Sequence, residues 1–535
     1  MPSQSKFFTL ASLMLFFGSV CYGATITGTV KGTEGAPFPG AFVEAQNTKT
    51  RITTIVLSDS HGQYRIPNVA AGEYRVQIRA VGFLADPRTG VKLTGNQKAS
   101  YDFALQKGMV HWNDISLSQA RQLWPPATGK DLIVQNCNDC HLFQTRMASV
   151  TRDADGWRDR VEYMRTSEHY GLSYITDQEA ADIASYLTKL FGPESVLPKS
   201  PADMPGYKDT VRPVSSDALN IVYVEYELPG PNRMPFSAAP DKDGNLWIPY
   251  YGPANKIARL NPTTGEVKEF PVPNVGTAAI HSAVPAADGS VWLAETGANK
   301  LGQWDPNTQK ITEYQDPYLP GKEGIRAGGT KHTIRFGPGG AMWVSGYPLS
   351  KFDPETRKFT HFNDVPSSYD IKIGQNGDPW FTSPRNNKIG KVDSKTMKVT
   401  QWTLPTDKSF PRRLEVAPDG MIWIGEFSGG KIAQFDPMTQ TFKEFPLPGP
   451  YPTPYSLGFD TDGYLWYDSH HMDVLGRFDT KTGDIIEYPF PHSEIAMREF
   501  FRDSQGRMWY ATNPNNKVGY FYLTNKNDRT QSASE

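Results

Sequence analysis

The feature that most constrains the fold is a tryptophan that recurs along the C-terminal part of the chain. Most copies follow a turn such as Asp243-Gly244, and most precede a segment typical of a strand. A repeating unit of about 43 residues with four short strands is typical of one β-propeller blade. Seven units predict a seven-bladed β-propeller over residues 217–523. Successive copies are 45, 51, 37, 43, 43 and 43 residues apart, at Trp247, Trp292, Trp343, Trp380, Trp423, Trp466 and Trp509.

The two ends of the repeat region predict how the ring closes. The last repeat stops after its third strand, near Tyr522, and lacks the Glu-Tyr-x-x-Pro segment of a fourth strand. One such segment, at residues 225–229, stands ahead of the first repeat with no blade of its own. Pairing it with the last blade would close the ring and remove the exposed strand edges. Residues 524–535 read as a polar tail.

The start of each innermost strand predicts a candidate site at one mouth of the ring. The residue eleven positions before each tryptophan differs from blade to blade and is polar or aromatic, as expected for a ligand-contacting lining. These seven residues are Phe236, His281, His332, Tyr369, Arg412, Tyr455 and Arg498. Three positions after the tryptophan, Glu295 and Glu426 are expected at the same mouth, with Asp468 and His470 nearby. The candidate catalytic residues are His281, His332, Glu295, Tyr369, Arg412, Tyr455 and Arg498. A water-filled channel mouth with satisfied polar groups is the alternative.

A short motif upstream predicts a covalent haem. The chain has three cysteines, and two of them, Cys137 and Cys140, stand in the segment CNDCH that ends at His141. C-x-x-C-H is the attachment pattern of c-type haem, in which the thiols bond the porphyrin and the histidine binds the iron. A redox or disulfide pair would not require the histidine, and a zinc site would require two more ligands. One covalent haem c is therefore the predicted cofactor.

The flanks of this motif read as helices. One opens near Gly129, a second spans residues 153–165, and a third starts at a Thr176–Glu179 capping box and ends at Gly192. Three helices around C-x-x-C-H resemble the class I cytochrome c fold over residues 108–200. That resemblance implies a methionine thioether as sixth iron ligand.

Among the candidates for that sixth ligand, Met164 is the choice. Met147 follows His141 by only six residues, and His169 would give bis-histidine ligation.

The N-terminal part predicts export and a small β domain. Lys6, an apolar run and then Gly23 are typical of a secretory signal peptide over residues 1–23. An uncleaved membrane anchor is the alternative, and a lipid anchor at Cys21 is disfavoured because Val20 precedes it. The segments DSHGQYRI (59–66) and AGEYRV (71–76) resemble the carboxypeptidase regulatory-like domain. That resemblance implies a seven-stranded transthyretin- or immunoglobulin-like β-sandwich without peptidase chemistry over residues 24–107. Residues 201–216 read as a linker.

The repeat region itself resembles the virginiamycin B lyase, or streptogramin lyase, family. The likeness rests on the elements W-[IVF]-x-E, N-K-I-G and E-[YF]-x-[LV]-P over residues 217–523. This family opens a macrocyclic ester by elimination with a magnesium ion. His281 and Glu295 match its second histidine and its later glutamate, whereas Ala279 and Phe236 replace an earlier glutamate and a histidine. His332 could supply a second imidazole from the following blade.

The predicted fold class is therefore multidomain and mainly β, with three domains: a β-sandwich, a small all-α cytochrome c domain and a propeller. A net charge of −2 without a basic run makes nucleic acid an unexpected partner. No membrane span is expected once the signal is removed, and the location is periplasmic or secreted.

Three functions remain for such a chain. The first is a haem-dependent oxidoreductase or electron-transfer protein with a small, anionic substrate or a second cofactor at the mouth, and a redox partner protein. The second is a lyase in which His281 is the base, Glu295 holds a metal such as Mg²⁺, and Arg412 or Arg498 binds an anion. The third is a non-enzymatic binding or scaffold protein with an electron-relay domain.

Overall fold

The N-terminal part of the chain forms a β-sandwich. The computed structural model describes residues 23–138, 142–166, 172, 174–274, 276–318 and 331–524. The predicted signal peptide therefore lies almost wholly outside the described residues. The strands of this part are β1 (Ala24–Lys31), β2 (Phe42–Asn47), β3 (Ile52–Leu57), β4 (Gln63–Val69), β5 (Gly72–Arg79), β6 (Phe83–Leu84), β7 (Arg88–Leu93), β8 (Lys98–Ser100), β9 (Phe103–Ala104) and β10 (Gln106–Lys107).

Two sheets face each other in this sandwich. One runs in the order β4-β1-β8 with β9 also on β1, and the other contains β7-β5-β2-β3. Alternating residues such as Tyr64, Ile66 and Val76 are fully or almost fully buried between them, which is the period-two pattern of a half-buried strand. The resemblance implied seven strands. The described residues contain more, because two-residue pairings such as β6 with β10 add short edge strands.

The middle part of the chain, residues 108–200, is helical and is called the helical region below. Its α4 begins at the expected capping box, since Thr176 Oγ1 accepts from the Glu179 amide at 3.2 Å, and it stops at Gly192. Trp157 and Val161 lie on the buried face of α3, as the sequence spacing predicts. The helices are α1 (Leu117–Leu123), α2 (Thr128–Asn136), α3 (Ala154–Thr166) and α4 (Asp177–Phe191).

The predicted linker is partly helical. It contains α5 (Tyr207–Thr210) and short 3₁₀ turns. Gln119 of α1 donates to Thr210 at 3.4 Å, and Arg212 forms an ion pair with Glu487 of the propeller. This segment is therefore fastened to both neighbouring parts of the chain.

The C-terminal part is a ring of seven four-stranded antiparallel sheets, which confirms the predicted propeller architecture. Six of these sheets each use four consecutive strands. The strands are β11 (Ile221–Glu227), β12 (Ala239–Pro240), β13 (Leu246–Pro249), β14 (Lys256–Leu260), β15 (Val267–Pro271), β16 (Ile280–Pro285), β17 (Val291–Glu295), β18 (Lys300–Trp304), β19 (Ile311–Gln315), β20 (Lys331–Phe336), β21 (Met342–Gly346), β22 (Leu349–Asp353), β23 (Lys358–Phe362), β24 (Ile371–Ile373), β25 (Pro379–Ser383), β26 (Lys388–Val392), β27 (Val399–Thr403), β28 (Pro411–Val416), β29 (Ile422–Glu426), β30 (Lys431–Asp436), β31 (Thr441–Pro446), β32 (Pro454–Phe459), β33 (Leu465–Ser469), β34 (Val474–Phe478), β35 (Ile485–Pro489), β36 (Phe501–Arg502), β37 (Met508–Thr512) and β38 (Lys517–Leu523).

In three of the seven blades, a side-chain bond ties the repeated tryptophan to the turn that precedes its strand. Trp247 Nε1 donates to Asp241 Oδ2 at 3.0 Å, and Trp466 donates to Asp460 at 2.8 Å in the same way. The aspartate also accepts backbone amides of its own turn, as short acidic side chains commonly do. Trp509 makes the same bond to Asp503, whereas the position six residues before the other four tryptophans is alanine or glycine.

The seventh blade closes the ring with the segment predicted for it. Strand β11, from the start of the repeat region, pairs antiparallel with β38, from its end. The other edge of β11 is not left open: it pairs with β3 of the β-sandwich, and a single sheet runs β36-β37-β38-β11-β3-β2-β5-β7. The sandwich and the closing blade therefore share one eight-stranded sheet.

Candidate functional site

The mouth of the propeller brings together the seven residues predicted from the repeat. Each stands at or near the start of an innermost strand, and each is at most 8 % exposed. We call this set the mouth cluster: Phe236, His281, His332, Tyr369, Arg412, Tyr455 and Arg498.

Rings within the mouth cluster are in direct contact. The imidazoles of His281 and His332 have their centroids 3.4 Å apart, and His332 lies 4.0 Å from the ring of Tyr369. The hydroxyls of Tyr369 and Tyr455 are hydrogen-bonded to each other. Phe236 packs against the other side of His281 at 4.7 Å. These residues therefore form one packed cluster at the mouth.

Two arginines in this cluster lie on aromatic faces. The Arg412 guanidinium is 5.1 Å from the ring of Tyr455 and 4.9 Å from that of Tyr369, and Arg498 is 4.9 Å from Tyr455. A guanidinium over an aromatic ring keeps its charge while most of its surface is removed from water. The mouth therefore carries fixed positive charge.

A second polar layer lies one residue further along each innermost strand, and the sequence analysis missed it. Arg413 donates to Asp370 at 2.7 Å and lies 3.6 Å from Glu499, which also pairs with Arg335. Arg413 is 2 % exposed and both carboxylates are more than nine-tenths buried. The position ten residues before each tryptophan, which is polar in every blade, was the available signal: Ser237, Ser282, Thr333, Asp370, Arg413, Ser456 and Glu499.

The imidazoles of the mouth are neutral at ordinary pH. Burial lowers the pKa of His281 well below its usual value, and Arg413 and Arg498 lower it further. The pKa of His332 is lowered in the same way, by burial and then by His281. A neutral imidazole keeps one ring nitrogen that can accept a hydrogen bond from a bound molecule.

Glu295 and Glu426 do not face the mouth, which corrects the expectation from the repeat. A Cβ on Gly302 would lie 2.6 Å from Glu295 Oε1, so this carboxyl points towards the third strand of its blade. Burial raises its pKa to about 8, with Glu313 as the next contributor. Burial and then Glu444 likewise raise the pKa of Glu426 to about 8. In these two blades the end of the second strand therefore lies within the blade.

Asp468 and His470 do reach the mouth, as expected. His470 stacks on Tyr455 with centroids 5.1 Å apart, and its Nδ1 lies 3.4 Å from Asp468 Oδ2. Burial raises the pKa of Asp468 to about 7, and a hydrogen bond from the Ser456 amide and the charge of Arg498 oppose that rise. This pair extends the cluster towards the sixth blade.

The helical region lies on the mouth, a placement that no motif indicated. The Ser118 amide donates to the His471 carbonyl at 2.7 Å, and the Thr145 amide donates to Glu494 at 2.9 Å. His471 Nε2 lies 3.3 Å from the carbonyl oxygen of Asn138 and must donate to it. Asn138 is the residue that follows Cys137 in CNDCH. The haem-attachment motif therefore begins at the mouth of the propeller.

A partly open cavity lies beside this motif within the helical region. Three sulfur-bearing residues line it, namely Cys137, Met147 and Met164. Most of the remaining lining is apolar, and two arginines also belong to it: Asn136, Arg146, Trp157, Arg160, Val161, Leu172, Ile175, Ile183 and Leu187. The lining has the character of a site for an apolar group.

The remaining predicted haem ligands lie outside the described residues. This holds for Cys140 and His141, and also for the alternative ligand His169. Met147, which sequence distance disfavoured, lines the same cavity as Met164, so both thioethers remain candidates.

No metal site is found in the described residues. Within them, no group of three or more His, Cys, Asp or Glu side chains could hold a metal ion. The set expected for Mg²⁺ does not fit, because the Glu295 carboxyl points towards Gly302 rather than the mouth. Over the same residues, no helix has the length and apolar character needed to cross a membrane.

The fold and the mouth define a mainly β protein in which a propeller follows an N-terminal β-sandwich. Comparisons with known families agree. The carboxypeptidase regulatory-like domain matches residues 25–106, and the virginiamycin B lyase family matches residues 351–531. The second match begins after His281, Glu295 and His332. No curated protein matches the chain.

Solved structures with the same propeller include two lyases. The chain is 26% identical to a streptogramin B lyase, with a TM-score of 0.51 over 58% of this chain and 100% of that one. It is 24% identical to a catalytically inactive virginiamycin B lyase from Staphylococcus aureus solved with quinupristin, with a TM-score of 0.51 over 57% and 100% of the two chains. The second likeness concerns the fold alone.

Proposed function

We propose that the chain is an exported haem c oxidoreductase whose substrate site is the mouth cluster. The observation that carries this proposal is the hydrogen bond between His471 of the propeller and Asn138 of the CNDCH motif. A haem attached at this motif would stand beside the mouth. A lyase reaction does not need a redox group beside its site. Electron exchange between a haem and the mouth does need the two to lie close together.

The cavity beside Cys137 supports the haem. Cys137 and Cys140 would hold the porphyrin by thioether bonds, with His141 and Met164 as axial ligands. Apolar side chains such as Trp157 would surround the ring. Arg146 and Arg160 line the same cavity and would pair with the propionates. When bound, the haem supplies a centre that takes up or gives one electron.

The mouth would bind an anionic organic molecule. Arg412 and Arg498 give it positive charge, and carboxylates are the usual partners of guanidinium. Glu295 and Glu426 reduce this positive charge less than the sequence suggested. Both carboxyls point away from the mouth, and burial raises the pKa of each to about 8. His281, neutral and in the cluster, would accept a hydrogen bond from the bound molecule and orient it.

The lyase alternative rests on the likeness to streptogramin B lyase and on the position of His281 at the mouth. It also requires Glu295 to hold a metal near that histidine. The carboxyl of Glu295 lies against Gly302 instead. The oxidoreductase is therefore the better supported function.

The test begins with the haem. Full-length chain made in a host with cytochrome c maturation should carry the added mass of one covalent haem. A mature protein without that mass would refute the proposal.

The second part of the test concerns the mouth. A panel of organic acids is offered to the ferric protein, and haem reduction is followed by absorbance. His281→Ala and Arg412→Ala should abolish the reduction while the haem spectrum stays normal, whereas His61→Ala, in an exposed part of the sandwich, should not. Reduction that survives both mouth variants would remove the mouth from the proposal. If the chain converts a molecule of the panel without bound haem, and this conversion is lost in His281→Ala, the lyase would be established.

A further inference from the structure

A file of rings, all buried except the half-buried Tyr251, runs from the CNDCH motif across the mouth. Each ring contacts the next, and the file ends in the loop after the second strand of the first blade. We call it the ring file, and it consists of His471, His470, Tyr455, Tyr369, His332, His281, Phe236 and Tyr251.

The first half of the file lies in the sixth blade. His471, which donates to the Asn138 carbonyl, has its centroid 6.0 Å from that of His470. His470 stacks on Tyr455 at 5.1 Å with an angle of 28° between the planes. Phe427 lies 5.4 Å from His471 and 5.7 Å from Tyr455, so it spans the same step from the side.

The second half crosses the axis of the propeller. Tyr455 and Tyr369 are joined by the hydrogen bond between their hydroxyls, with centroids 6.1 Å apart. Beyond them, His332 and His281 follow at 4.0 and 3.4 Å. The contacts then pass through Phe236 to Tyr251 at 4.7 and 4.3 Å.

The surroundings of the ring file exclude water, and the imidazoles within the file are neutral. Tyr455, His470 and His471 are at most 2 % exposed, so water does not separate the rings. Burial lowers the pKa of His470 well below its usual value and that of His471 to about 3. The imidazoles are therefore neutral, and an electron moving along the file meets no titrating charge within it.

We propose that the ring file is the route by which electrons pass between the propeller mouth and the haem. The proposal rests on the proposed function, since it presumes a haem at Cys137 and Cys140. In the working direction, a molecule at the mouth loses one electron and a proton. The electron reduces ferric haem to ferrous haem, and the proton is released to water outside the mouth.

The route can be tested without the natural substrate. Pro253 is exposed and lies two residues after Tyr251, at the far end of the file. A ruthenium polypyridyl group is attached there through Pro253→Cys in the haem-loaded full chain. A light flash moves one electron from excited ruthenium(II), which becomes ruthenium(III), to ferric haem, which becomes ferrous, and no proton is transferred. The readout is the rise of ferrous-haem absorbance.

Two variants of one residue separate the ring from its hydroxyl. Tyr455→Leu removes the aromatic ring at the centre of the file and should slow the electron transfer several-fold. Tyr455→Phe keeps the ring and should leave the rate close to that of the unsubstituted chain. The control Tyr467→Leu removes an equally buried ring of the same blade that is not part of the file, and should leave the rate unchanged.

The outcomes are distinct. An unchanged rate in Tyr455→Leu, or equal slowing in Tyr455→Phe, would overturn the route. If Tyr455→Leu does not fold, His470→Leu breaks the file one step nearer the motif, with the same slowing expected and an unchanged rate again overturning it. A labelled chain that binds haem and is reduced at equal rates in all variants leaves the proposed function standing and refutes the route. A chain without covalent haem refutes the proposed function first.

Discussion

The cavity beside Cys137 and the mouth of the propeller lie on opposite sides of one junction, and they are built in opposite ways. The cavity is lined mostly by apolar side chains and is partly open. The mouth is polar and filled by its own rings and guanidiniums, such as His281 and Arg412. From this contrast we expect the first place to suit a permanently bound group and the second to suit a charged ligand that exchanges.

The largest expected effect separates the two places chemically. The double variant Cys137→Ser with Cys140→Ser removes both thiols, and we expect complete loss of covalent haem because thioether bonds need the sulfur atoms. His281→Ala should retain the full haem mass, since the mouth plays no part in attachment. Mass spectrometry of the intact chains decides. Haem retained in the double variant would place its attachment elsewhere.

The next effect distinguishes the two thioethers of the cavity. Met164→Ala should abolish the weak sulfur-to-iron absorbance band of the ferric protein near the red end of the spectrum, while the covalent haem stays. Met147→Ala is the matched control, because Met147 lines the same cavity and is also buried. Loss of the band in Met147→Ala alone would make Met147 the sixth ligand.

Beneath the mouth, a smaller but measurable effect is expected on stability. Arg413→Met leaves Asp370 and Glu499 buried without this partner. Breaking a buried ion pair from one side costs about 3–5 kcal/mol in the free energy of unfolding. Arg51→Met, in an exposed ion pair with Glu227, should cost less than about 1 kcal/mol. Chemical denaturation of both variants compares them, and equal costs would contradict this account of the second polar layer.

The smallest effect is a pH dependence at the mouth. Burial raises the pKa of Asp468 from 3.8 in the unfolded chain to about 7 in the folded chain. Between these values only the folded form holds the proton, so the free energy of unfolding falls as the pH rises from 3.8 to about 7. The slope from one such carboxyl is at most about 1.4 kcal/mol per pH unit.

The variant Asp468→Asn stays neutral and should lose this part of the slope. The exposed variant Asp407→Asn is the control. Stability curves measured across this range should differ between Asp468→Asn and the wild type, and coincide for Asp407→Asn. Coinciding curves for all three chains would mean that Asp468 is ionised when folded.

Local spacing in the sequence was enough to predict several parts of this molecule. The tryptophan repeat predicts the blades and the position of residues such as His281 and Arg498, because every blade repeats the same turn and strand. The Thr176 capping box predicts the start of α4. Each of these features is decided by residues within one repeat or one helical turn.

Other parts could not be predicted because they depend on residues far apart in sequence. The contact between Asn138 and His471 joins segments more than 300 residues apart, and neither has a motif that names the other. The direction of the Glu295 side chain was predicted wrongly. The spacing places this residue at the end of a second strand, but it does not show whether the side chain faces the axis or the neighbouring strand. His471 was missed although its neighbour His470 was expected at the mouth. The pair of adjacent histidines in the sequence was the available signal.

The eight-stranded sheet shared by the sandwich and the closing blade has a consequence for how the molecule assembles. Strand β11 pairs with β3, about 170 residues earlier, and with β38, about 290 residues later. The ring cannot close before β38 has been synthesised, and its pairing with β11 is then slow because it is non-local. The sandwich and β11 can pair earlier and present the edge on which β38 later forms. Heating should then melt the sandwich and the seventh blade in one cooperative transition. Limited proteolysis should likewise not release either of them intact.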